Sequence, residues 1–182
     1  MIRLQPGVRA PDVHLRTADS GSVATSDLWR EGPVVLAFSR HFGCPFCKGT
    51  LAGLRREHPR VHEARATVAA VFMGTPRAVD RWCGERDLPF PCYADPDRSA
   101  YRSFGLSNGT AWTWIGPRVV GGGVRLFRRG IAAGLPHPGQ DVRQLAGTFV
   151  IARGGRVRFV HYARDAADVP DIDAILGALG VG

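Results

Sequence analysis

The sequence predicts an α/β fold, a central mixed β-sheet flanked by helices, and three observations carry that expectation. Val34 to Phe38 (VVLAF) is an unbroken apolar run that passes through a short polar and aromatic link into a helical pattern. Thr67 to Met73 (TVAAVFM) is a second such run, suited to the middle of a parallel sheet covered on both faces. Thr148 to Ala152 and Arg156 to Tyr162 flank Gly154-Gly155, a hairpin signal that adds antiparallel strands to the parallel pair. With 182 residues and 45% hydrophobic content, the chain has material for one domain with a full core.

The elements follow in order. Residues 1–12 hold two prolines and a glycine and read as an irregular lead-in. Val13 to Thr17 alternates as a half-buried strand, Asp19 to Ser22 turns, and Val23 begins a return strand. Thr25 or Ser26 is placed to cap a short helical turn carrying Leu28 and Trp29 into the core. After the Val34 to Phe38 strand, a helix runs to about Glu57, and Arg60 to Arg65 resumes it past Pro59. Beyond the second apolar strand, Thr75 and Pro76 supply the N-cap and first position of a helix reaching about Arg86. Two strands joined by a helix make a right-handed βαβ unit. The proline-bounded Leu88 to Ala94 is a brief strand near an edge, and Asp95 to Phe104 is a capped helix ending at Gly105. Residues 106–146 form a long excursion, with a helix expected from Val119 to Ala133 and then a loop through Pro136, Pro138 and Gly139. Asp168 to Leu179 closes the chain as an amphipathic helix with Val169, Ile172, Ile175, Leu176 and Leu179 on one face.

Charge and composition narrow the function. The net charge is +8, yet Lys48 is the only lysine and the densest arginine groups, Arg55-Arg56 and Arg128-Arg129, are just pairs. Without a basic run interleaved with aromatics, no specific nucleic-acid partner is expected. No segment approaches a membrane span, and the start MIRLQPGVRAPDV lacks the apolar stretch of a secretory signal, so the expected location is the cytoplasm. In that reducing setting four cysteines are expected to be chemical or buried rather than a disulfide framework.

The pattern that carries chemistry is Cys44-Pro45-Phe46-Cys47, set between the first core strand and a helix on which Leu51 and Leu54 recur. A helix N-terminus presents unpaired N–H groups and a positive dipole end, so a thiolate is favoured there. Lowering a thiol pKa from about 8.5 by about two units takes roughly 2.7 kcal/mol and makes it mostly ionised at neutral pH. Arg40, His41 and Lys48 are near enough in sequence to add positive charge, His41 only if protonated. Two cysteines one turn apart also meet the separation a disulfide needs, so no second subunit is required to close the pair. Cys83 and Cys92 read as small buried core residues, and Trp112 and Trp114 as core. No metal and no cofactor is expected, since a zinc site would have to recruit Cys83 and Cys92 while a redox role explains the pair without them.

The order βαβ with Cys-x-x-Cys at the first crossover helix, then a hairpin and a final helix, resembles the thioredoxin fold. More closely the chain resembles the AhpC/TSA peroxiredoxin-like family, in its Cys-x-x-Cys branch. The matching segments are GVRAPDVHL (Gly7 to Leu15), Asp27-Leu28-Trp29, the core strand with its cysteines, LPFPCYAD (Leu88 to Asp95) with Tyr101 to Leu106, and GTFVIARGGRV (Gly147 to Val157). The resemblance implies a thioredoxin-like sheet, with the excursion at about 106–146 inserted before the last hairpin. It implies a thiol peroxidase cycling Cys44 and Cys47 between dithiol and disulfide, drawing electrons from a thioredoxin-, glutaredoxin- or low-molecular-weight thiol reductant.

Two departures from that family matter. Counting without gaps from Val34 puts Cys47 in the peroxidatic place and Cys44 where the family has Thr or Ser. The family also has an arginine just before the strand matching Gly147 to Ile151, and here that place is Ala146. Another arginine, Arg40, Arg118, Arg125 or Arg143, would have to reach the pocket, and Gln144 lies close enough to face it. Two attackers therefore stay open: Cys47 oxidised by peroxide and resolved by Cys44, or an exposed Cys44 attacking a disulfide substrate with Cys47 buried behind it. A thiol-disulfide oxidoreductase and a non-enzymatic redox-responsive interaction module are the alternatives. A homodimer is compatible with all three.

Overall fold

A computed structural model describes residues 2–181. Short strands β1 (His14–Arg16) and β2 (Ser22–Ala24) form a hairpin, followed by α1 (Thr25–Leu28). Thr25 does not cap that turn; its hydroxyl donates to the Pro11 carbonyl at 3.0 Å, which ties the lead-in to the sheet. Then come β3 (Val34–Phe38), α2 (Pro45–Arg56), α3 (His58–Glu63) and β4 (Thr67–Phe72). Next are α4 (Pro76–Gly84), β5 (Cys92–Ala94) and α5 (Ser99–Ser103). The excursion holds α6 (Trp112–Ile115) and α7 (Pro117–Arg128), and β6 (Gly147–Ile151), β7 (Val157–Tyr162) and α8 (Ile172–Leu179) close the chain.

These strands make one mixed seven-stranded sheet in the order β2-β1-β5-β4-β3-β6-β7, with β3, β4 and β5 parallel and the rest antiparallel. All five residues of β3 are buried, because a central strand is packed from both faces. The period of two sorts them: Val34, Leu36 and Phe38 join the layer of Tyr101, Phe104 and Phe149, while Val35 and Ala37 join Leu51, Leu54, Ile175 and Leu176 beneath α2 and α8. Thr75 caps α4 as expected, its hydroxyl accepting the Ala78 N–H at 3.3 Å.

Several boundaries differ from expectation, each for a local reason. β5 lies inside the sheet rather than at its edge, since the β1 and β2 hairpin adds beyond it, though through only one residue pair, Arg16 with Ala94. The helix expected from Asp95 begins at Ser99, because Arg98 takes a left-handed conformation (φ 59°) and the Asp95 carboxylate accepts the Ser99 and Tyr101 N–H groups at 3.0 and 3.1 Å. In the excursion the helix starts at Pro117, a residue favoured at a first helical position, and stops at Arg128, short of Ala133. α8 starts at Ile172, capped by Asp171, whose carboxylate accepts the Asp173 N–H at 3.0 Å. Val169, ahead of that cap, is 45% exposed rather than on the buried face. Cys83 and Cys92 are not independent core residues: a disulfide joins the end of α4 to β5 across a sequence separation of 9.

Candidate functional site

The link from β3 to α2 positions the cysteine pair. Cys44 occupies the N-cap of α2 with extended backbone (φ −69°, ψ 113°), and its Sγ accepts the Cys47 N–H at 3.4 Å while Pro45 opens the helix. Cys47, one turn on, faces inward with Leu51 and Leu54, and its thiol donates to Cys44 Sγ at 2.9 Å. Both sulfurs thus meet at a helix start, as the motif implies.

Arg40 is the positive charge at this site. Its Nη1 stands 3.7 Å from Cys44 Sγ, and its backbone N–H reaches Cys47 Sγ at 3.4 Å. The guanidinium is held from behind: Nε donates to the Gln144 carbonyl and Nη2 to the Val142 carbonyl, each at 3.0 Å, and the Trp114 ring lies 4.8 Å away in cation–π contact. Arg40 is 4% exposed and, among the described residues, has no carboxylate within salt-bridge distance. A buried cation needs a counter-charge, and Cys44 is the group placed to provide it. Accordingly Cys44 is pulled from 9.0 down to about 6, first by the Cys47 thiol's hydrogen bond, with burial opposing and the Arg40 charge and backbone N–H groups adding to the pull. Cys47 moves up, because it donates to Cys44, is buried and faces the Cys44 charge.

The other candidates fall differently. His41 is driven down to about 4 by burial and by the charges of Arg40 and Lys48, and its buried Nδ1 has no partner, so it stays neutral and adds no positive charge. Lys48 Nζ donates to the Ala132 carbonyl at 3.0 Å, which fastens the excursion to α2. The Gln144 side chain donates to the Ser107 and Leu145 carbonyls rather than facing the sulfurs, and only its backbone oxygen serves the site, through Arg40. Ala146 packs beside Cys44, Phe46 and Cys47. Arg118 turns to Asp165 at 3.6 Å and Arg143 to Asp141 at 3.2 Å.

The excursion covers the pair, a target that its length and composition did not reveal. Cys44 is 1% and Cys47 7% exposed, so the expected open position of Cys44 is corrected. Gly134 N–H donates to the Gly43 carbonyl at 2.9 Å, and a side chain at Gly43 would collide with the Gly134 oxygen. Gln140 completes the cover, its Oε1 accepting the Phe42 and His137 N–H groups at 3.0 and 2.9 Å. No local pattern marks Gln140 or Trp114 for these tasks; Phe42 and Arg40, the partners that tie them to the site, lie far away in sequence. Trp112, expected in the core, is 74% exposed.

A family model for the AhpC/TSA antioxidant enzyme matches residues 53–165, a span that begins just after the cysteine pair. Peroxiredoxin-like 2C of Bos taurus is 25% identical over 171 residues, covering 90% of this chain and 75% of that protein. Prostamide/prostaglandin F synthase of Salmo salar is 27% identical over 173 residues, covering 92% and 84%. Among solved structures, peroxidoxin BcpB from Mycobacterium tuberculosis superposes with a TM-score of 0.69 at 20% identity, covering 98% of this chain and 97% of that one, a likeness of fold.

Proposed function

The chain belongs to the AhpC/TSA antioxidant enzyme family, and from that premise we propose that it reduces peroxides, with Cys44 as the attacking thiolate and Cys47 as the thiol that resolves it. The observation that carries this reading is the Arg40 guanidinium 3.7 Å from Cys44 Sγ, buried with no carboxylate in salt-bridge reach among the described residues. Cys44 attacks the terminal oxygen of RO–OH, the O–O bond breaks, and Cys44 becomes a sulfenic acid while the alkoxide takes a proton at the expense of the Cys47 thiol. Cys47 then attacks Cys44 Sγ, 2.9 Å away at rest, and expels hydroxide, which solvent protonates. The sum is RO–OH plus two thiols giving ROH, water and one disulfide. Arg40 takes the place of the family arginine replaced at Ala146, holding the thiolate from the β3 side.

Burial bears on the substrate. With Cys44 at 1% exposure beneath the 130–140 segment, a two-oxygen peroxide group needs a small opening, whereas a protein disulfide would need that whole segment displaced. This favours a peroxide over the disulfide substrate of a thioredoxin-type oxidoreductase. A cytoplasmic location, where thiol reductants are plentiful, is part of the same proposal, and there the Cys83–Cys92 disulfide has to withstand those reductants. The test exposes reduced Cys47→Ser protein to peroxide and traps sulfenic acid with dimedone. An adduct on Cys44, absent from Cys44→Ser protein, is expected; no oxidation of either cysteine at millimolar peroxide would end the proposal.

A further inference from the structure

A groove of about 890 Å³ runs between α2 and α7 and reaches Ile131 at the start of the 130–140 cover. Arg56, Arg118, Arg125 and Arg129 line it, and among the described residues no carboxylate does. Arg118 and Arg56 reach acids outside the groove, Asp165 at 3.6 Å and Glu57 at 2.9 Å, but Arg125 and Arg129 have no carboxylate within salt-bridge distance among the described residues. With two of the four arginines paired, Arg125 and Arg129 leave an excess of positive charge that focuses on whatever enters. Glycine permits the close approach of the two helices at one point: a Cβ at Gly122 would stand 2.8 Å from the Phe46 ring. Behind the groove lies a void of about 20 Å³, the size of a single water, lined by Cys47. Phe46, Thr50, Val169 and Pro170 border both spaces, so one layer of side chains separates the arginine-lined groove from the void at Cys47.

On the proposed cycle, which this deepens, we infer that the groove admits an anionic low-molecular-weight thiol that re-reduces the Cys44–Cys47 disulfide by attacking Cys47. The chemistry selects that sulfur. In thiol-disulfide exchange the sulfur with the lower thiol pKa leaves faster, and Cys44, held by Arg40 and the helix start, is the better leaving group. The incoming thiolate RS⁻ bonds to Cys47 Sγ, the Cys44–Cys47 bond breaks, and Cys44 departs as thiolate. A second RS⁻ attacks the external sulfur of the mixed disulfide, releasing RSSR and the Cys47 thiolate, which takes a proton from solvent. Two thiols are oxidised and one protein disulfide is reduced. Carboxylates on the thiol fit Arg125 and Arg129, and the Phe46 ring, which walls both spaces, must turn aside for the sulfur of a small molecule to reach Cys47.

The experiment oxidises the full chain with diamide, so that it reads whether or not peroxide reacts. Re-reduction rates are measured with mercaptosuccinate, mercaptoethanol and cysteamine, each divided by that thiol's rate with a small free disulfide. Mercaptosuccinate should exceed cysteamine by about tenfold or more at low salt, as electrostatic steering permits, with the ratio shrinking as salt is added. Arg125→Gln combined with Arg129→Gln should bring the ratio to about one, as removal of the steering charges requires; Arg153→Gln, on the β6–β7 turn, should leave it unchanged. Mass spectrometry of the quenched reaction should find the mixed disulfide on Cys47. Equal normalised rates for the three thiols, or an adduct on Cys44 alone, overturns the inference. So does a double variant that slows oxidation by a long-chain acyl hydroperoxide while leaving the thiol ratio intact, since the groove would then serve the oxidant.

Discussion

Replacing Arg40 with Gln removes the guanidinium that stands 3.7 Å from Cys44 Sγ and should move that thiol's titration. A full charge at the 3.7 Å Nη1–Sγ distance is worth about 4 kcal/mol at an effective dielectric of about 20. The guanidinium spreads its charge and shares it with two carbonyls and the Trp114 ring, and the Cys47 hydrogen bond is the larger influence on Cys44. A rise of roughly one to two pKa units, about 1.4–2.7 kcal/mol, is therefore expected. The assay is the pH dependence of Cys44 alkylation by iodoacetamide in Cys47→Ser protein and in the same protein carrying Arg40→Gln, each judged against its own unfolded control. Because removing Cys47 also removes its hydrogen bond, both midpoints sit above the native value of about 6, and the difference between them is the quantity read. Stability gives an independent sign. A thiol whose folded pKa lies below 9.0 adds stability that is present above 9.0 and lost as pH falls through about 6, so Arg40→Gln should cost more at alkaline than at acid pH. Arg40→Lys, which keeps a charge, should move the midpoint less. Identical midpoints with and without Arg40 would refute the claim that this guanidinium holds the thiolate.

Two further outcomes test the surroundings. Gly43→Ala places a methyl against the Gly134 carbonyl, so it should cost about 1–3 kcal/mol in urea unfolding and raise Cys44 alkylation several-fold as the cover lifts; unchanged values of both would show that residues 130–140 do not seal the site. Changing Cys83 and Cys92 together to Ser opens a link with a sequence separation of 9 and should lower stability by about 2–3 kcal/mol. Equal urea midpoints for this variant and the oxidised parent would mean the pair forms no bond in solution.

Wherever neighbours in sequence decide the conformation, the chain was readable. The apolar runs of β3 and β4, the Thr75-Pro76 helix start and the Gly154-Gly155 hairpin lie close to where their patterns put them. Boundaries moved where a side chain found a better local partner, as Asp95 did with the Ser99 and Tyr101 N–H groups. The interior place of β5 depended on a hairpin more than sixty residues earlier in the chain, which no short window contains.

The sequence by itself determined that two cysteines, one helical turn apart, begin a helix after a buried strand, because apolar periodicity and the Cys-Pro pair act over a few residues. Only the tertiary structure decided which groups surround each sulfur and how deeply the pair is buried. Arg40 owes its aim to carbonyls of Val142 and Gln144, a hundred residues away, and the cover over Cys44 rests on Gly43 meeting Gly134. Electrostatics and burial depend on distance in space, and chain folding sets those distances without leaving a mark in the local pattern.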